Sequence, residues 1–470
     1  MGPRIAIVGG GSHQWGPTLV TDMAGRAALQ DAHIVLDDID ASRLPRMAAY
    51  VEHVARVRQI PMTVSTTTDQ RAALEGADYV VVNISTGGFE SMRHDLEIPA
   101  RHGIHQPVGD TVGPGGVSRA LRNIPVLVGI GRDMEELCPH AWLLNLTNPM
   151  TTLCRAVTRE TSVRTVGLCH EITITRFYLS LLLDTDFRAI EPVITGVNHL
   201  PVITELRIDD ARAVNGRAVN GHGRDGLARL AELTADEQRR DEPLPFALPA
   251  DLGHEPRPDG AEWRKGDLLD INRVKLELFH RFGGLPGAGD RHVVEFFPGF
   301  VTEESAWGKR WGVTLTSIED RERDEQRYVQ RLEDRLAAAD VPDLPSGEMV
   351  APLIDSFITG KARSLPLNLP NAGQCPDLPP DVVVEAMCVA DRDGVRGRDQ
   401  AYAPPFLAEQ LRRVSAAQEL TVEAALSGRR DDVLAALLAD PLTGRTDYDH
   451  VEQMTDELLA ATRRWLPQFA

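Results

Sequence analysis

The chain has 470 residues, of which 42% are hydrophobic and 25% charged, and a formal net charge of −19. Such a length carries two or three domains or one large interlocked unit, with ample material for a core. The acidic balance argues against nucleic acid or an anionic membrane as partner, and no apolar run approaches the ~18 residues that span a bilayer.

A small anionic substrate stays open, because a few local arginines outweigh a distant negative field. The first residues, "MGPRIAIVGGGS", enter a strand at once and show no signal-peptide pattern. The five cysteines (Cys138, Cys154, Cys169, Cys375, Cys388) lack the spacing of a disulfide framework. A reducing, cytoplasmic compartment is the expectation.

"RIAIV", "HIVLD", "DYVVVN", "WLLNLT" and "RTVGL" read as buried strands, short, rich in Val, Ile and Leu, and bounded by turn residues. Amphipathic stretches such as Ala41–Arg58 and Arg119–Leu137 lie between them. Strand and helix alternating in this way predict a doubly wound parallel sheet of the Rossmann type, taken here as residues 1–195. The remainder, 196–470, reads as an α+β domain. It opens with two longer strands in "PVITGVNHLPVITELRID" and passes through a proline-rich loop or lid over Asp241–Gly260. Helical patterns follow at Leu268–Phe282, Glu319–Ala339, Leu407–Leu426 and Val451–Trp465.

The turn after the first strand carries the first candidate site. Gly9 and Gly11, with Gly10 and Ser12, allow backbone to approach a pyrophosphate at a helix N-terminus. A third glycine is usual where Gln14 stands, so a purely structural turn remains an alternative. Asp38, at the end of "HIVLDD", suits an adenosine ribose and would repel a 2′-phosphate, which favours NAD. The competing reading is that Asp38 and Asp40 cap the next helix. Asn83 and Ser85 leave the end of another strand on the same side of the sheet.

"VGLCHEITIT" sets Cys169, His170 and Glu171 after a buried strand, and His199 ends the next apolar run. Thiolate and imidazole make a partial shell for a divalent metal, though a buried cysteine also packs well on its own.

Taken together, these residues resemble glycoside hydrolase family 4, the NAD- and divalent-metal-dependent glycosidases, over essentially the whole chain. The likeness rests on "VGGGS" at Val8, "QPVGDTVGPGG" at Gln106, "NLTNPM" at Asn145, "GLCHE" at Gly167, "GVNH" at Gly196, "GAGDRHVVEFFPG" at Gly287 and "NLPNAGQ" at Asn368. It implies NAD and Mn²⁺ or a similar ion as cofactors, with Cys169 and His199 as metal ligands. Asn148, His170 and Glu171 would then face the sugar. The Cys-His-Glu triplet is similar to that of the α-galacturonidase branch and departs from the forms found in 6-phosphoglycosidases. The resemblance also implies a homo-oligomer, dimer or tetramer, acting on a small-molecule glycoside.

The chemistry implied is a redox-neutral elimination. NAD⁺ takes a hydride from C3, the C2 proton becomes acidic, the C1 aglycone leaves, water adds, and the hydride returns. Asp290 is expected as the base and Asp110 as an acid assisting the leaving group, with an ion pair to Arg291 as the structural alternative for Asp290. Arg291, Arg93 and Arg119 are candidates for a uronate carboxylate, and His13 and His292 are read as structural or sugar-binding. Two alternatives stand beside this reading. One is the same mechanism on a sulfoquinovoside or neutral α-hexoside, the other an NAD-dependent dehydrogenase with net redox turnover.

Overall fold

The computed structural model describes residues 2–209, 224–245, 248, 262–341 and 346–469. Strands β1 (Arg4–Val8), β2 (His33–Asp37), β3 (Thr63–Thr67), β4 (Tyr79–Val82), β5 (Trp142–Asn145) and β6 (Arg164–Gly167) run parallel in the order 3-2-1-4-5-6. This is the doubly wound order, and ligands of such sheets bind beyond the strand C-termini where the order reverses, here between β1 and β4. Central strands such as "RIAIV" and "YVVV" are buried along nearly their whole length, as helices on both faces require. β3, "TVSTT", is an exposed polar edge, and without an apolar run it is silent in the sequence pattern.

The second sheet contains β7 (Ile190–Val197), β8 (Leu200–Ile208), β9 (Arg224–Asp225) and β10 (Leu285–Pro286). β7 and β8 are the two longer strands expected from "PVITGVNHLPVITELRID". They are antiparallel and joined by a tight turn at Asn198 and His199, where His199 takes φ +64°.

The boundary expected at residue 195 falls inside β7, and three later strands, β11 (Arg363–Pro370), β12 (Val383–Asp391) and β13 (Gly394–Gly397), extend the first sheet past β6 to nine strands. Asn368 of β11 pairs with Gly167, one step before the Cys169 segment. Local periodicity reports that a strand exists; it holds no record of which sheet edge the strand will join. The helix read over Leu268–Phe282 is two helices, Lys265–Ile271 and Arg273–Phe282, broken at Asn272. Most of the proline-rich stretch, residues 246–261 apart from 248, lies outside the described residues. The five cysteines are free and buried. No described helix is long and apolar enough to cross a membrane.

Candidate active site

The glycine turn closes as the sequence suggests. Gly9 and Gly10 donate their N–H groups to the Asp37 carbonyl at 2.9 and 2.8 Å, and a helix runs from Gly16 to Ala24. Gly9 has φ +86°, and a Cβ there would lie 1.9 Å from the Asn83 carbonyl oxygen, so no side chain fits. Asp38 accepts from the N–H of Gly11 at 3.0 Å and of Asp40 at 2.9 Å, which leaves each oxygen a further lone pair. Neither acid caps the helix Leu44–Arg58: its N-cap is Arg43, and Asp40 instead binds the N–H and hydroxyl of Ser42. Ile39 beside them is fully exposed, an apolar surface at the rim of the crevice. Ser12 accepts from Trp15 N–H within its own turn. Asn83 donates its backbone N–H to Val8, and Ser85 is exposed just beyond it.

Three strand ends bring the remaining candidates in. After β5, Asn148 donates its side-chain amide to Asp110 at 3.2 Å, and its own side-chain oxygen is buried without a partner. After β6, Cys169 is buried against Met150, Cys154 and Val383, touched by the Glu171 N–H and the Asn198 side chain. Burial, then the carboxylates of Glu385 and Glu171, pushes its thiol well above the usual range; a cation at the sulfur would reverse that balance. His170 pairs with Glu348 at 3.0 Å and lies against the Trp15 ring. Burial opposes its charge, but Glu348, Glu171 and Glu385 overcome this and raise it to about 9, so it is an imidazolium at neutral pH. Glu171 accepts from the Gly289 N–H at 2.6 Å. Burial disfavours its charge too, yet His292, His170 and His199 outweigh that and lower it to about 2.

At the centre stand Asp110, His199 and His292. Their nitrogen and oxygen donor atoms all lie within 4.8 Å of one another, the one such group among the described residues. The expected ligand His199 belongs to it; Cys169 does not, lying beside it through Asn198 and Glu171. Burial and the neighbouring His292 lower His199 to about 3, which leaves it a neutral imidazole able to ligate. Burial opposes charge on Asp110, but the adjacent imidazoles, the Arg119 guanidinium and the Thr111 hydroxyl hold its carboxyl well below the usual range. The structure places Asp110, the expected acid, within this group and against the Asn148 amide.

Asp290, the expected base, is placed at a helix start. Asp290 spends its oxygens on the N–H groups of Val274 and Lys275 at 2.6 and 3.1 Å, the free donors that the break at Asn272 creates at a helix start. It therefore caps a helix, and among the described residues it makes no ion pair with Arg291. Burial raises it to about 6 against the pull of Lys275. Arg93 pairs with Glu97, Glu319 and Glu322 in an exposed network.

The other two arginines lie within electrostatic reach of a shared neighbour. Arg119 is buried and donates Nε to the Asn148 carbonyl at 3.0 Å. Arg291 binds the Pro107 carbonyl at 3.1 Å and the Thr316 hydroxyl. A third arginine, Arg321, donates to the Val108 carbonyl at 2.7 Å and leaves its Nε buried without a partner. Its charge acts on Asp110, Arg291, Arg119 and Glu295. Glu295 shapes the loop they share by accepting from the N–H groups of Val108 and Gly109 at 2.7 and 2.9 Å. Burial lifts its pKa to about 8, so it carries little charge at neutral pH.

Arg321, Glu295, Glu348 and Glu385 were missed in the sequence. Glu385 had a signal: an acid inside the apolar run "VVEAMCVAD" of β12, fully buried and hydrogen-bonded by Asn198 at 3.1 Å. Arg321 had none, sitting in a helix of mostly charged residues.

Residues 4–184 match the model of the family 4 glycosyl hydrolases, and residues 194–443 match that of the family 4 glycosyl hydrolase C-terminal domain. The chain is 30% identical to an α-galactosidase of Bacillus subtilis, with 99% of each chain covered. It is 29% identical to an α-galacturonidase of Thermoanaerobacterium saccharolyticum, covering 98% of this chain and 96% of that one. Among solved structures, a 6-phospho-β-glucosidase of Thermotoga maritima with manganese, NAD⁺ and glucose-6-phosphate shares the fold. Its TM-score is 0.74 at 21% identity, covering 98% of this chain and 99% of that one.

Proposed function

The chain belongs to family 4 of the glycosyl hydrolases, and from that premise we propose that it hydrolyses an acidic α-hexoside, an α-galacturonide first, with NAD and a divalent ion such as Mn²⁺. The observation that carries the substrate class is the placing of Arg119 and Arg321 near Asp110, with Arg291 beside Arg321 and a Glu295 that is largely protonated. Guanidinium groups set near one another repel, and the arrangement is stabilised when an anion joins them. In a protein of net charge −19 such a surplus is a local design for a carboxylate, which the planar guanidinium fits in a fork. The α-galacturonidase relative supports the same choice, and the α-galactosidase relative supports the neutral alternative.

The residues fit both cofactors. The Gly9–Gly11 turn, the helix start at Gly16 and the free lone pairs of Asp38 suit a dinucleotide. Gly88, with open space around its Cα, leaves room beside it. Cys169 and His199 would hold the ion, and the orphaned polar atoms of Asn148, Asn198 and His292 around them mark a place built for further partners. When bound, NAD supplies reversible hydride acceptance from the sugar, and the ion supplies Lewis-acid stabilisation of the charge that follows. The chain's own groups orient the ring: the His170 imidazolium donates to a sugar oxygen, Glu171 accepts from a hydroxyl, and Asn148 presents its unpaired oxygen to another. A homo-oligomer belongs to this reading. Light scattering of the full chain measures it.

The test is hydrolysis of α-galacturonide, α-glucuronide, α-galactoside and sulfoquinovoside with NAD⁺, Mn²⁺ and reductant, following NADH alongside product. Acidic sugars are expected to lead, with NAD⁺ required and no net NADH formed. NADH rising in step with product would make the protein a dehydrogenase instead.

A further inference from the structure

We propose that His292 is a second imidazole ligand of the divalent ion that His199 holds, with Asp110 as the carboxylate of the same set. The inference rests on the metal-dependent reading above and adds to it residues outside the Cys169/His199 pair.

Each histidine leaves a ring nitrogen available to an ion. His199 places Nδ1 at 2.7 Å from the Thr111 hydroxyl, which leaves Nε2 for an ion. His292 places Nε2 at 4.0 Å from Glu171 Oε1, while its Nδ1 is buried with no hydrogen-bond partner. A metal-binding imidazole that faces a carboxylate or hydroxyl through its other nitrogen is the usual arrangement, because that contact fixes the tautomer and the ring. The two rings lie 3.8 Å apart, centroid to centroid, and their donor atoms are within 4.8 Å of each other and of Asp110. Without a cation, a buried unpaired nitrogen beside a second imidazole has only its desolvation cost.

The chemistry of the set is specific. With Cys169, two imidazoles and one carboxylate leave about two open positions on a six-coordinate ion. Asp110 is further positioned by the Asn148 amide at 3.2 Å and the Thr111 hydroxyl at 2.7 Å, so the carboxylate and His199 are steered by one residue, Thr111. A sugar chelating through adjacent oxygens needs neighbouring open positions, and this set provides them.

The experiment is pulsed EPR of Mn²⁺ bound to the full chain with NAD⁺ present, counting the coupled imidazole nitrogens, together with Mn²⁺ affinity by titration. The expected result is two imidazoles in the wild type and one in His292→Gln, whose Mn²⁺ affinity falls about tenfold or more while NAD⁺ affinity stays unchanged. His199→Gln should likewise retain one. A single imidazole in the wild type overturns the proposal even if His292→Gln fails to fold, and leaves the glycosidase reading standing. No Mn²⁺ bound by the wild type would overturn the metal-dependent reading along with it.

Discussion

Arg321 is the residue proposed to hold the substrate's anion, and it belongs to no sequence motif. It reaches the loop around Asp110 from the long helix Ile318–Ala337, where most residues are charged and face solvent. Replacing it by methionine keeps the bulk and removes the guanidinium. Arg321→Met is expected to lower kcat/KM for an α-galacturonide by about one to two decades, the worth of a charge-assisted contact of roughly 1.5–3 kcal/mol. The matching α-galactoside should be nearly unaffected; equal losses on both would remove Arg321 from the anion site.

Glu295 gives a second prediction at this scale. Its carboxyl is raised from 4.5 to about 8 by burial. The folded chain therefore keeps a proton that the unfolded chain releases, and stability falls as pH rises from about 4.5 to about 8, then levels. Glu295→Gln keeps an acceptor for Val108 and Gly109 and removes that dependence. Urea denaturation across this window should show a flatter profile in the variant; an unchanged slope would mean that Glu295 is ionised in the fold.

Among the elements, the helix Arg273–Phe282 decides how Asp290 is understood. The apolar spacing of Leu268–Phe282 is continuous, so the pattern alone reads one helix, and the break at Asn272 comes from tertiary packing. Once the break exists, two backbone donors need a partner, and Asp290 supplies it from a separate segment. Asp290→Asn should destabilise the chain by roughly 1–3 kcal/mol, read by thermal or urea unfolding. A variant of unchanged stability and no activity would support Asp290 as the base. The glycine turn is the converse case, legible because its constraint is local: Gly9→Ala would set a methyl against the Asn83 carbonyl and should abolish NAD⁺ binding in a calorimetric titration.

Across the whole molecule, what was legible follows from where the information lies. The parallel strands β1, β2, β4, β5 and β6 announce themselves as apolar runs, and the strand-end motifs lie next to them in sequence. The antiparallel strands β11–β13 join an edge set by packing, and Glu385 arrives at the site with them. Asp110, His199 and His292 come from three segments, and nothing in their separate motifs states that their donor atoms meet. The arginines were half legible for the same reason. Chemistry said that guanidinium groups must be near a uronate, but only the fold separates Arg119 and Arg321, at the Asp110 loop, from Arg93, paired with glutamates.

The central claim is that this site cleaves a glycoside whose C6 group is an anion. Its most direct test is kcat/KM for 4-nitrophenyl α-galacturonide against 4-nitrophenyl α-galactoside, a pair differing only at C6, with NAD⁺, Mn²⁺ and reductant held constant. The account predicts a preference for the galacturonide of about one to two decades, the same charge-assisted contact expressed as a rate. A galactoside cleaved as well as the galacturonide would contradict it.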